Sequence, residues 1–260
     1  MNTVNQYIID AFTDKVFAGN PAAVCILDEW LPDEMMRKIA MENNLSETAF
    51  TVKESSGWRL RWFTPGDEIN LCGHATLATA YAIMNFAETG CRRISFNTLS
   101  GVLTIKQENG LLAMDFPSMP MSPIDVTDDM AAAIGIRPAA AYLGEDMVCV
   151  MEDEEQVKKA VPDLGIIRSL KGMNLHITAK GKEYDCVTRT FAPKFSVAED
   201  PVCGRAHCFV VPLWAKTLHK DELTAYQASS RGGILYCRYG RDRTILRGKA
   251  ALFAKAQLFI

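Results

Sequence analysis

The 260-residue chain has no run of Lys and Arg of the kind that tracks a phosphate backbone; its net charge is −3, with both signs dispersed. Nucleic acid is therefore not an expected partner. No apolar stretch reaches the roughly 18 to 20 residues of a spanning helix, and the opening "MNTVNQYIIDAF" has neither the basic region nor the cleavage site of an export signal. The expectation is a cytoplasmic protein with no membrane partner. The scattered glycines never assemble behind a strand into a Rossmann or P-loop pattern, so no nucleotide cofactor is expected. Cys-X2-Cys pairs are also missing. Cys203, His207 and Cys208 fit one helix face but have no partner pair, so the expected metal content is none.

What is present is enough apolar material for one large domain or two of ordinary size, with 48% hydrophobic and 23% charged residues. Eight cysteines spread over a chain without an export signal read as free thiols, and Cys25 and Cys149 as small buried hydrophobes in strands. "YIIDAF" and "AAVCIL" flank a turn and predict a hairpin-like start. "LPDEMMRKIAMENN" follows with acids at its front and Met35, Met36, Ile39 and Ala40 on one helical face. "SETAFTV" and "WRLRWFTP" alternate as strands, and Gly73 opens a helix through "HATLATAYAIMNFA". A later block repeats this layout, from the capped helix "DVTDDMAAAIG" through the strand-like "NLHITAKG" and "YDCVTRTFAP".

In both blocks a strand ending in Phe-X-Pro leads to Cys-Gly-X-Ala and a helix, at Cys72-Gly73 and at Cys203-Gly204, with three more residues before the second. This predicts an internal duplication, with residues near 1–115 and 120–245 superposing and boundaries at 1–117 and 118–260, the last strand free to pack on the first domain. Two such halves are expected to face each other so that both helix N-termini serve one site. Unpaired N–H groups there hold a carboxylate without cofactor or metal, and glycine allows close backbone approach. Such a site suits proton removal beside a carboxylate or carbonyl. Both thiols are expected near a cleft where the helix dipoles and Arg205 stabilise thiolates, as pocket walls that oxidise to a disulfide if they come within bonding distance.

"DAFTDKVFAGNPAAV", "NLSETAF", "FTPGDEINLCGHATLA" and "EDPVCGRAH" together resemble the PhzF-like phenazine-biosynthesis proteins, relatives of diaminopimelate epimerase. The resemblance implies an α+β fold of two similar domains related by a pseudo-two-fold, each a mostly antiparallel sheet around a central helix. It also implies a cofactor-independent isomerase that moves a proton between carbons of a small anionic metabolite. By resemblance Glu47 is the general acid/base, His74 and Asp200 assist it, and Asn20 lies in the ligand pocket. Gly73 and Gly204 offer backbone amides, with Cys72, Cys203 and Arg205 beside the substrate. The sequence departs from the family at Cys203-Gly204-Arg205, where Thr-Gly-Ser is common, and it carries thiols at the two positions used by racemase and epimerase relatives. A two-thiol racemase and a non-catalytic metabolite-binding protein are the alternatives. "YQASSRGGILYC" adds Gln227 and Arg231 as candidate pocket-border residues, and the oligomeric state is left open between monomer and homodimer.

Overall fold

The computed structural model describes residues 3–260. Two compact units emerge: one holds the described residues up to Asp115 together with Arg247–Ile260, the other Phe116–Leu246.

In the first unit, β1 (Thr3–Ala11) and β2 (Asn20–Leu27) form the antiparallel hairpin that their apolar runs predict. Helix α1 (Asp33–Asn43) follows Pro32, carries Asp33 and Glu34 in its first turn, buries Met36, Ile39 and Ala40, and stops at Asn44 in the left-handed conformation. β3 (Thr48–Glu54) then runs parallel to β2 and antiparallel to β4 (Gly57–Phe63), from which the short β5 (Glu68–Ile69) turns back. Helix α2 (Gly73–Ala82) is buried on nearly every side, as its small and apolar residues require, and packs on β1, β2 and β3. A π-helical turn, Ile83–Ala87, extends it. β6 (Arg93–Thr98) joins β4 in parallel and continues through hairpins into β7 (Gly101–Glu108) and β8 (Leu111–Pro117).

The second unit repeats the pattern of pairing. β9 (Ser122–Ile124) lies on β10 (Ala140–Leu143), and β10 pairs antiparallel with β11 (Met147–Val150). β11 runs parallel to β12 (Leu175–Lys180), which is antiparallel to β13 (Cys186–Ala192). Between these strands stand three short helices, α3 (Asp128–Ile134), α4 (Glu154–Lys159) and α5 (Leu164–Ser169). Each is capped by a side chain, Thr127, Asp153 or Asp163, that accepts a first-turn N–H. β14 (Val197–Asp200) leads to α6 (Gly204–Leu218), after which β15 (Glu222–Gln227) runs parallel to β13 and antiparallel to β16 (Gly233–Gly240). β1-β2-β3-β4-β6-β7 and β10-β11-β12-β13-β15-β16 thus share one alternation of antiparallel and parallel neighbours, each with a helix opened by Cys-Gly. Pro212 sits inside α6 and has no N–H for the Cys208 carbonyl, which instead accepts the Met119 N–H at 2.9 Å.

The chain returns to the first unit through β17 (Arg243–Gly248) and ends in β18 (Ala250–Phe259). β18 pairs antiparallel with β1 along its whole length, from Thr3 opposite Phe259 to Ala11 opposite Ala250. β1 thus has both of its edges of backbone donors and acceptors satisfied, one by β2 and the other by β18.

Candidate active site

The first unit gathers Asn20, Glu47, Cys72 and His74 around the mouth of α2. Asn20 opens β2 behind a loop held from within: Asp10, itself buried, accepts the Phe17 N–H at 2.9 Å. Gly19 closes that loop at φ +65°, where a Cβ would stand 2.1 Å from the Ala11 carbonyl oxygen, so no other residue fits without a shift. Glu47 lies one residue before β3, and its carbonyl accepts the Ala23 N–H. The approach to it is fixed by Asn43, which donates to both Gln6 Oε1 and Thr48 Oγ1. Cys72 and His74 straddle Gly73 at the first turn of α2, where the Cys72 carbonyl accepts from the Thr76 N–H and hydroxyl.

His74 is the centre of the group. Its Nδ1 lies 3.2 Å from Asn20 Nδ2 and 3.4 Å from Cys72 Sγ. Nε2 faces Glu47 Oε2 at 3.1 Å, yet the two are misdirected, and neither buried atom has a hydrogen-bond partner. Burial alone would depress the His74 pKa; the adjoining Cys72 sulfur and, after it, the Glu47 carboxylate more than offset it and hold the ring well above the usual imidazole value. Cys72 moves the opposite way to a reactive thiol: burial, then the Glu47 carboxylate, push its pKa up.

In the second unit the mouth of α6 is built differently. Cys203 Sγ accepts the Ala206 N–H at 3.4 Å, so the thiol acts as a helix cap. Gln227 is fully buried and clamps the approach, accepting the Cys203 N–H at 2.8 Å and donating to the Asp200 carbonyl at 2.6 Å. Asp200 Oδ1 accepts the Val202 N–H.

Arg205, expected at the helix mouth beside the substrate, is engaged by two carboxylates. Its Nε donates to Asp146 Oδ2 at 2.8 Å and its Nη2 to Glu145 Oε2 at 2.8 Å. Asp146 is completely buried and also accepts from Asn174 Nδ2 and His176 Nε2, each at 3.1 Å. His176 Nδ1 completes the network on Thr190 Oγ1. Histidine and Arg205 outweigh the burial of Asp146 and hold its carboxyl well below the usual range. The expectation of stabilised thiolates fails for the same reason. The Cys203 pKa is driven well above its ordinary value by burial and by Asp200, while the Arg205 charge is spent on Asp146 and Glu145. All eight cysteines are free. Sequence reasoning missed Asp146, which stands 59 positions from Arg205 in an unremarkable "GEDM" turn and carried no signal of its own.

The two units therefore treat equivalent elements in opposite ways. The residue just before β12, Asn174, is satisfied by Asp146, whereas Glu47, just before β3, meets His74 without a hydrogen bond. The unsatisfied polar pair stands at the mouth of α2.

The fold is that of the epimerase class: a hydroxyproline epimerase from Agrobacterium vitis superposes with a TM-score of 0.65 over 98% of this chain and 92% of its own, at 10% identity. A crystal structure of a phenazine biosynthesis protein of the PhzF family from Enterococcus faecalis matches with a TM-score of 0.98 and 45% identity over 100% of both chains. An uncharacterized isomerase of Pseudomonas aeruginosa is 43% identical over 251 residues, 96% of either chain. The profile of the PhzC-PhzF family, described as phenazine biosynthesis-like protein, matches residues 9–256. The chain belongs to this family, and it is an isomerase as its curated relatives are named.

Proposed function

We propose that the protein moves a proton between carbons of a small carboxylate-bearing metabolite, with Glu47 as the acid/base and His74 as its partner. The observation that carries this reading is the buried Glu47–His74 pair, 3.1 Å apart with Oε2 and Nε2 both lacking a hydrogen bond. A carboxylate held so is available to a C–H beside it, and the first N–H groups of α2, opened by Gly73, suit the substrate's own carboxylate. When Glu47 takes the proton its charge disappears, and with it the influence that keeps His74 basic. The imidazole then becomes the stronger acid just as a proton has to be returned. Asn20 fixes the ring against rotation through Nδ1. The family resemblance adds Asp200 and the amide of Gly204 as orienting groups. Arg205 is held by Asp146 and Glu145 within the second unit.

The two-thiol racemase reading is weaker, because Cys72 and Cys203 are both pushed toward the protonated thiol. The test is a panel of small carboxylic acids incubated with the protein in heavy water, with C–H to C–D exchange followed by NMR. Exchange that Cys72→Ser and Cys203→Ser keep and Glu47→Gln loses supports the proposal. Exchange surviving in Glu47→Gln but lost in either serine variant overturns it in favour of the two-thiol enzyme. A metabolite that raises the melting temperature without any exchange identifies a binding protein instead.

A further inference from the structure

We propose that Asn43 and Gln6 are positioning residues for Glu47: their amides hold the side chain of Thr48 toward α1 and so turn its neighbour, Glu47, toward His74. This role deepens the isomerase reading and rests on it for its effect on rate. Glu47 Oε2, the oxygen that faces His74 at 3.1 Å, has no hydrogen bond to hold it there. Its direction therefore comes from the backbone. Adjacent side chains of an extended chain point to opposite faces. Phe50 and Val52 pack with Met36, Ile39 and Ala40 of α1, so Thr48, which bonds Asn43 of the same helix, shares their face. Glu47 falls on the other, where α2 brings His74.

A chain of side-chain hydrogen bonds from β1 through α1 to β3 holds Thr48. Its residue is 1% exposed, and its Oγ1 accepts Asn43 Nδ2 at 3.0 Å. The same Nδ2 donates to Gln6 Oε1 at 2.9 Å, and Gln6 Nε2 returns a bond to Asn43 Oδ1 at 3.0 Å. Asn43 thereby uses both amide hydrogens and its oxygen. Gln6 is buried in β1 and also accepts from Cys25 Sγ of β2 at 3.5 Å. Apolar contacts tolerate sliding, whereas a satisfied reciprocal amide pair specifies one arrangement. The end of α1 is thus fixed against β1, and through Thr48 it fixes where β3 begins. A displacement of about 1 Å at a reacting group costs up to about a hundredfold in rate, so anchoring of this kind acts on turnover.

The experiment follows the His74 ring by NMR in the isotope-labelled protein through a pH titration, its signals identified by their loss in His74→Gln. Thr48→Val keeps the shape of the side chain and removes the acceptor for Asn43. The proton affinity of His74 should then fall about threefold or more as the Glu47 carboxylate turns away, while Cys72, the other group acting on the ring, stays in place at the start of α2. Thr48→Ser, which keeps the hydroxyl, should restore it. Gln6→Met breaks the far end of the chain and should move the titration in the same direction. Thr51→Val is the control: it removes another buried hydroxyl of β3, which donates to the Arg59 carbonyl at 2.9 Å, and should lower stability while leaving the titration unmoved. Adding Thr48→Val to Glu47→Gln should move His74 no further, because the effect travels through the Glu47 charge. In the exchange assay, Thr48→Val and Gln6→Met should lose about tenfold or more in rate, with affinity for the exchanging acid unchanged. An unmoved titration in both Thr48→Val and Gln6→Met overturns the proposal. So does an equal change in Thr51→Val, a Thr48→Ser that behaves as Thr48→Val, or an effect of Thr48→Val that survives in Glu47→Gln. Failure of the isomerase reading would show instead as exchange retained by Glu47→Gln, with the His74 titration still moved by Thr48→Val.

Discussion

His74 Nε2 and Glu47 Oε2 lie 3.1 Å apart in the interior without forming a hydrogen bond. A buried polar pair in this state costs stability, on the order of 1 to 3 kcal/mol for each unsatisfied group. Removing the charge at Glu47 should therefore hurt catalysis while sparing the fold. Glu47→Gln keeps the side-chain size, and turnover should drop on the order of a hundredfold or more, the scale of a lost general base. Metabolite affinity, read by thermal shift, should change little. Turnover near that of the unaltered protein would remove Glu47 from its role.

Asp146 is the charge on which three side chains of the second unit converge. Asp146→Ala leaves Arg205, His176 and Asn174 without their common acceptor and should cost roughly 3 to 5 kcal/mol, the scale for breaking a buried ion pair. Urea unfolding at neutral pH measures it. An unchanged midpoint would mean that the network is not what holds this end of the unit.

His207 provides a dependence on pH. Its Nδ1 donates to the Cys203 carbonyl at 2.8 Å, Nε2 is buried without a partner, and burial lowers its pKa to about 4. The folded protein thus resists protonation that the unfolded chain accepts near 6.5. Stability from this group is complete above that value and declines as pH falls toward 4, by about 3 kcal/mol in all. Melting temperatures between pH 7.5 and 4.5 should fall for the unaltered protein and fall less steeply for His207→Gln. Parallel slopes would contradict the assignment.

Gly19 tests how far the loop before β2 governs the site. Gly19→Ala meets both the left-handed backbone and the Ala11 carbonyl, so a loss of at least about 1 kcal/mol is expected. Because Asn20 is the next residue, exchange activity should fall together with the melting temperature. A variant equally stable and active would show that the loop accommodates the methyl group.

The helix at Gly73 was legible because Gly-His-Ala-Thr-Leu-Ala-Thr-Ala has no polar face to expose, and the hairpin start because "YIIDAF" and "AAVCIL" flank a turn. Spacing alone did not join Glu47 to His74: β3 and β4 intervene, and only the resemblance to a family brought the two together. The partners of Arg205 were hidden for a related reason. A cation at a helix mouth reads as facing ligand, and its two carboxylate partners stand 59 and 60 positions earlier in the chain. β5, β9 and β14, of two to four residues, are too short to show an alternating pattern, and α5 was missed because Gly165 interrupts its first turn just after the Asp163 cap.

The return of β18 to β1 has a consequence for the order in which the chain folds. Residues 116–246 are continuous, so everything needed for the second unit has been synthesised before the first can close. Until residues 250–259 leave the ribosome, β1 presents a bare edge along the very strand that carries Asp10, the residue holding the loop before Asn20. Released chains truncated before residue 250 should therefore protect the later-made unit from protease while leaving the earlier-made one open, an inversion of the usual progress from N-terminus to C-terminus.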